Sequence, residues 1–112
     1  MKLVGRIALA ALVENTPLRI TYPPFDVVIV RQGEDIFALE DACNHAGASL
    51  AEGPIRGCTI ICPLHGYVFD LKSGALLRPR KLCDDQRTFQ VVREGDEVVI
   101  WDPFDLVVHP LV

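Results

Sequence analysis

Cys43-Asn44-His45-Ala46-Gly47-Ala48 and, after residues 49–61, Cys62-Pro63-Leu64-His65-Gly66-Tyr67-Val68-Phe69-Asp70 decide how this chain is read. Each segment offers one thiol and one imidazole, spaced C-x-H in the first and C-x2-H in the second. Gly47, Gly53, Gly57, Gly66 and Gly74 break the stretch 41–75 into tight loops. Between the two segments Gly53-Pro54 marks a turn and Thr59-Ile60-Ile61 a strand, enough chain to leave one loop and return beside the other. Four ligand-type side chains can then converge on one metal centre.

The flanks of this middle read as antiparallel sheet. Asp26-Val27-Val28-Ile29-Val30-Arg31, a turn at Gln32-Gly33-Glu34-Asp35 and Ile36-Phe37-Ala38-Leu39 have the form of a β-hairpin. Phe89-Gln90-Val91-Val92-Arg93, Glu94-Gly95-Asp96-Glu97 and Val98-Val99-Ile100-Trp101 repeat the device near the end. Residues 18–21 read as a strand ended by Tyr22-Pro23-Pro24. Residues 8–13 fit a short helix or a strand equally well. Eight Pro and eight Gly in 112 residues favour strands joined by many turns, and the expected class is all-β. A chain of this length builds one domain, expected to span residues 1–112. Its base would be residues 1–40 and 76–112, and the insertion that carries the Cys and His loops residues 41–75.

Charge and hydropathy narrow the partners. Eleven Lys and Arg against fifteen Asp and Glu leave a net charge of -4, which argues against nucleic acid and anionic membrane. No apolar run reaches the roughly 18 to 20 residues of a membrane span. Arg6 interrupts the apolar N-terminal stretch, which reads poorly as an export signal. The expected setting is cytoplasmic and reducing, where four cysteines serve as ligands or free thiols in preference to disulfides.

Two metal chemistries suit two Cys and two His. A structural zinc accepts that set, but its usual spacing puts both Cys on one knuckle and both His on a helix. A two-iron, two-sulfide cluster has two metal ions to satisfy, and each mixed loop can serve both. Two ferric ions, two sulfides, two thiolates and two neutral imidazoles sum to zero charge, whereas four thiolates give minus two. Adding an electron is therefore easier with the mixed set.

At Cys43-Asn44-His45-Ala46-Gly47-Ala48 and Cys62-Pro63-Leu64-His65-Gly66-Tyr67-Val68-Phe69-Asp70 the chain resembles the Rieske family. The resemblance implies the Rieske iron-sulfur fold, antiparallel sheets carrying a small cluster-binding subdomain, and one 2Fe-2S cluster. It implies that Cys43 and Cys62 hold the inner iron, and that His45 and His65 hold the outer iron near the surface. With no open coordination position the cluster moves one electron and does no bond chemistry, so no catalytic residue is expected. The soluble Rieske-type ferredoxins resemble the chain best. They imply a carrier that takes electrons from an NAD(P)H-dependent flavin reductase and gives them to a terminal aromatic-ring oxygenase. Such a carrier is expected as a monomer or weak oligomer. The alternatives are the small Rieske-like subunit of an NAD(P)H nitrite reductase and, as a different class, a zinc-stabilised interaction module.

The remaining residues divide the family further. Quinol-oxidising members join their loops by a disulfide at positions that fall here on Ala48 and Leu64, and place a Ser and a Tyr hydroxyl where this chain has Tyr67 and Phe69. Cys58, in step with Ile60 and Cys62, is expected as a small buried apolar residue. Cys83 reads as a free thiol and His109 as incidental. Arg78-Pro79-Arg80-Lys81 is a cationic run that reads as solvated surface. The resemblance offers Pro79 for the part of the proline whose loop covers the cluster in relatives, although its spacing from Gly74 and the following Cys83-Asp84-Asp85-Gln86 depart from the family's Pro-rich stretch.

Overall fold

The computed structural model describes residues 1–24, 26–43, 47–79 and 84–103. In chain order the strands are β1 (Lys2–Ala8), β2 (Leu18–Ile20), β3 (Val27–Gln32), β4 (Asp35–Glu40), β5 (Ile55–Arg56), β6 (Thr59–Ile61), β7 (Val68–Asp70), β8 (Leu76–Arg78), β9 (Gln90–Glu94) and β10 (Glu97–Asp102). They form three sheets ordered β1-β10-β9, β2-β3-β4 and β5-β6-β7-β8, and every strand pair is antiparallel. The expected all-β class is what the chain adopts. Among the described residues the only helical pieces are 3-10 turns at Leu9–Ala11 and Leu50–Glu52, and no helix is long and apolar enough to cross a membrane.

Both expected hairpins close on their glycines. Gln32 faces Asp35 across Gly33-Glu34, and Glu94 faces Glu97 across Gly95-Asp96. Gly33 and Gly95 each take φ +62°, a region that two-residue hairpin turns require and that side chains with a Cβ disfavour. The open stretch 8–13 becomes the Leu9–Ala11 turn, which ends as the Leu12 N–H donates to the Leu9 carbonyl at 3.1 Å.

β3 explains why the chain folds around its middle sheet. Val27, Val28, Ile29 and Val30 are all buried, so this strand does not alternate between core and solvent. It has a core on each face instead. Val27 and Ile29 join Leu12, Ala38, Phe89, Val98 and Ile100 against the β1-β10-β9 sheet. Val28 and Val30 join Leu39, Leu50, Ile60, Phe69 and Leu71 against the β5-β8 sheet. Each fully buried aliphatic or aromatic side chain of this kind contributes about 1.5–3 kcal/mol.

The segment entering β9 ties the base together. The Glu40 N–H donates to the Arg87 carbonyl at 2.7 Å and the Phe89 N–H to the Ala38 carbonyl at 2.9 Å. Leu39 bridges Thr88 antiparallel between them. At the far end of the chain the Tyr22 hydroxyl donates to Asp102 Oδ2 at 2.8 Å, and an Arg87 Nη2 lies 3.8 Å from the same oxygen. The β5-β8 sheet ends at Arg78, past residue 75, because β8 pairs with β7 through Val68↔Arg78 and Phe69↔Leu76.

Candidate metal centre

The two ligand loops are built alike. In loop 1 the Cys43 N–H donates to the Ala48 carbonyl at 2.9 Å, and the Gly47 N–H donates back to the Cys43 carbonyl at 2.7 Å. In loop 2 the Cys62 N–H donates to the Tyr67 carbonyl at 2.8 Å, and the Gly66 N–H donates to the Cys62 carbonyl at 3.0 Å. Gly47 at φ +71° and Gly66 at φ +73° let the chain turn left-handed and close each loop. Each imidazole falls between its cysteine and this glycine in sequence, so the loop that buries the thiol also carries the histidine.

Different scaffolds deliver the loops. Loop 1 springs from the end of β4 and returns through the Ala42↔Ser49 bridge. Its stem is held at Asp41, which is buried. The Asp41 N–H donates to the Asp26 carbonyl at 2.8 Å, its carbonyl accepts the Leu50 N–H at 2.9 Å, and its Oδ1 accepts the Ala51 N–H at 2.8 Å. Nothing in the motif marks Asp41 for this work; its only sequence signal is its place at the start of the stretch 41–75. Loop 2 is the connection of a hairpin, between Ile61 of β6 and Val68 of β7, which pair directly.

Burial sorts the expected ligands. Cys43 is 2% and Cys62 1% exposed, and both belong to the apolar cluster of Leu50, Tyr67 and Phe69. Neither sulfur is part of a disulfide among the described residues. His65 is exposed, beside Pro63, Leu64 and Gly66. His45, Cys83, His109 and the Arg80-Lys81 part of the cationic run lie outside the described residues. Among the described residues no three His, Cys, Asp or Glu side chains stand together around a single point.

This arrangement fits a binuclear cluster. A buried thiolate in apolar surroundings is costly unless a metal compensates its charge. Two such sulfurs, brought into one apolar cluster from separate loops and not joined to each other, are what one iron of a cluster needs. An imidazole on the exposed side of the same loop is what the other needs.

Several other expectations meet the structure here. Cys58 is exposed, not buried as its step with Ile60 and Cys62 implied. The strand begins only at Thr59; Gly57, at φ +57°, and Cys58 form the turn between β5 and β6, so the alternation does not extend back to residue 58. Ala48 is half-buried, Leu64 is 54% exposed, Tyr67 is buried and Phe69 is fully buried. Pro79 is half-buried and follows Arg78, whose partner Val68 is the first residue after loop 2.

Two titratable groups of the base depart from their ordinary values. Burial pushes the Glu40 carboxyl above its ordinary value, with the Arg87 guanidinium pulling the other way. Desolvation, and then the hydrogen bond to Asp102, push the Tyr22 phenol up.

Comparison with known proteins gives the loops a family. Residues 6–90 match the Rieske 2Fe-2S domain. The chain is 32% identical over 83 residues to the ferredoxin component of biphenyl 2,3-dioxygenase from Rhodococcus jostii (strain RHA1), covering 74% of this chain and 77% of that one. It is 36% identical over 89 residues to the 3-phenylpropionate/cinnamic acid dioxygenase ferredoxin subunit of Escherichia coli (strain K12), covering 78% and 81%. Among solved structures, the ferredoxin of carbazole 1,9a-dioxygenase from Nocardioides aromaticivorans IC177 superposes with a TM-score of 0.79 at 28% identity, over 90% of this chain and 98% of that one. A carbazole 1,9a-dioxygenase complex of reduced oxygenase and oxidized ferredoxin superposes with a TM-score of 0.75 at 29% identity, over 83% and 95%. A structure named for the small subunit of an NADPH nitrite reductase has a TM-score of 0.78 at 17% identity, over 91% and 100%, a likeness of fold alone. With the family match covering both ligand loops and the sheets that carry them, the chain belongs to the Rieske 2Fe-2S domain family, and its cofactor is a 2Fe-2S cluster.

Proposed function

We propose that this protein is the ferredoxin of a multicomponent dioxygenase system, a one-electron carrier with no catalytic residue of its own. One observation carries the reading: two loops of the same build bury Cys43 and Cys62 while His65 stays exposed. Cys43 and Cys62 would hold the inner iron, and His45 and His65 the outer one. When bound, the cluster supplies a single reversible electron acceptor. The protein's own part is to keep water from the sulfur side, through Leu50, Tyr67 and Phe69. It also presents the imidazole side to a partner.

Its partners would be a flavin-dependent NAD(P)H reductase as donor and a terminal aromatic-ring oxygenase as acceptor. The names of the similar ferredoxins, and the complex of ferredoxin with oxygenase, support that pairing. The carrier would work in the cytoplasm as a monomer or weak oligomer, in one domain whose base is residues 1–40 and 76–112. Nothing beyond fold favours a nitrite reductase subunit.

The test is purification with analysis of iron and acid-labile sulfide, followed by reconstitution with a dioxygenase reductase and oxygenase. Equal iron and sulfide, and product formation that depends on the ferredoxin, support the reading. A chain that holds zinc without labile sulfide overturns the cofactor. A chain that holds the cluster yet fails to couple any dioxygenase pair, while coupling a sirohaem nitrite reductase, overturns the partner class.

A further inference from the structure

Gln86 stands in the polar run Asp84-Asp85-Gln86-Arg87, beyond both ligand loops, and no motif points to it. It is nonetheless only 3% exposed. Its amide Nε2 donates to two backbone carbonyls, those of Glu40 and Ala42, each at 2.8 Å. Glu40 ends β4 and Ala42 immediately precedes Cys43. An amide nitrogen has two hydrogens, so both are given to the stem of loop 1.

The backbone of the same residue reaches the other loop's support. The Gln86 N–H donates to the Gly74 carbonyl at 2.8 Å, and the Gly74 N–H donates at 2.8 Å to the carbonyl of Asp70, the last residue of β7. Gly74 takes φ +75°, and a Cβ there would collide with the Gln86 carbonyl oxygen. β7 is the strand that leaves loop 2. One residue thus grips the strand delivering Cys43 and the turn that ends the strand following Cys62.

We propose that Gln86 is a positioning residue for the cluster: its amide fixes the stem of loop 1 against the strand leaving loop 2, and so sets the spacing of the two cysteines. The inference rests on the cluster reading above. Groups outside the ligand set tune a metal site by orienting the ligands, and Gln86 would do so through the backbone, without touching the cluster.

The experiment compares wild type with Gln86→Met, which keeps the volume and removes both donors, and Gln86→Asn, which keeps the amide on a shorter arm. Gln32→Met is the control. Gln32 also donates to two acceptors, Asn15 Oδ1 and the Gly57 carbonyl, but neither belongs to a loop stem. The readouts are reduction potential, the g-values of the reduced form, the rate of iron loss to a chelator, and far-ultraviolet circular dichroism. Expected are displaced potential and g-values with faster iron loss in Gln86→Met, a smaller displacement in the same direction in Gln86→Asn, and wild-type values in the control. Failure of the Gln86 variants to assemble the cluster while keeping the sheet spectrum also supports the inference. Wild-type potential, g-values and iron loss in both variants overturn it, as does collapse of the sheet spectrum in both, which assigns Gln86 to the fold at large. If wild type itself holds no iron and sulfide, the cluster reading fails and takes this inference with it.

Discussion

Gly47 and Gly66 are counterparts: each takes a positive φ, +71° and +73°, and each donates its N–H to the carbonyl of the cysteine that opens its loop. The two loops are therefore one device used twice, once at the end of a base strand and once at the tip of a hairpin. Among the described residues an alanine at either glycine meets no atom within 4 Å, so its cost is backbone strain, about 1–2 kcal/mol. Cluster content, compared with wild type after purification, should fall for both substitutions by similar amounts.

The ligand assignment makes its own forecast. Cys43→Ser or Cys62→Ser should leave the chain largely without iron. His45→Cys or His65→Cys, where the cluster assembles, should lower its potential, because a thiolate adds negative charge to the same core. Iron analysis and voltammetry decide the matter. A native spectrum in an Ala variant at any of these four positions would refute the assignment there.

Two other glycines separate strain from collision. Gly57 takes φ +57° with no described residue in the way of a Cβ, whereas Gly74 takes φ +75° against the Gln86 carbonyl. Gly57→Ala should cost about 1–2 kcal/mol from strain. Gly74→Ala should cost a further 1–3 kcal/mol or so, because backbone must shift to admit the methyl. Thermal unfolding of both variants under one set of conditions tests the difference.

Phe69 sits fully buried in the apolar cluster that includes both cysteines. Phe69→Tyr offers a hydroxyl where quinol-oxidising relatives have one. A hydrogen bond to sulfur favours the reduced cluster, and a gain of about 1.4 kcal/mol corresponds to roughly 59 mV for one electron. The potential should rise, and Tyr67→Ser should raise it as well. Because both changes act on one small cluster, the double variant should fall short of the sum. Unchanged or lower potentials in assembled variants would show that burial or loop charge sets the value instead.

The carboxyl of Glu40 gives a pH signature. Burial raises it above its ordinary value, so the folded chain keeps this proton at a pH where the unfolded chain has lost it. Its contribution to stability is complete below the unfolded value and is lost as pH rises through the folded one. Glu40→Gln removes that loss. The variant should melt higher than wild type near neutral pH, with the gap narrowing as the pH falls toward the ordinary carboxylate range. A gap that stays constant across the range would mean Glu40 is not the group responsible.

Local chemistry was legible in the sequence, and distant chemistry was not. Gly33 and Gly95 announced their hairpins because a two-residue turn needs a residue that tolerates positive φ. The paired C-x-H and C-x2-H segments announced the family and its 2Fe-2S cofactor because their residue types admit few other uses. Val27-Val28-Ile29-Val30 read correctly as a strand, yet only the packing showed that alternate residues serve two cores. Cys58 misled because strand alternation was carried back into a turn. Asp41 and Gln86 stayed silent: each does its work by hydrogen bonds to backbone far away or around a corner, and a polar residue in a polar run carries no sign of that.

Loops 1 and 2 hang from different sheets, and this has a consequence for the unfolded chain. A cluster held by Cys43 and Cys62 is a crosslink as well as a redox centre, closing a loop of about 20 residues. Such a closure removes unfolded-state entropy worth roughly 3 kcal/mol, before any metal-ligand bond is counted. Iron supply would then govern how long the protein survives as well as whether it carries electrons, since a chain that loses its cluster also loses this constraint on its unfolded state.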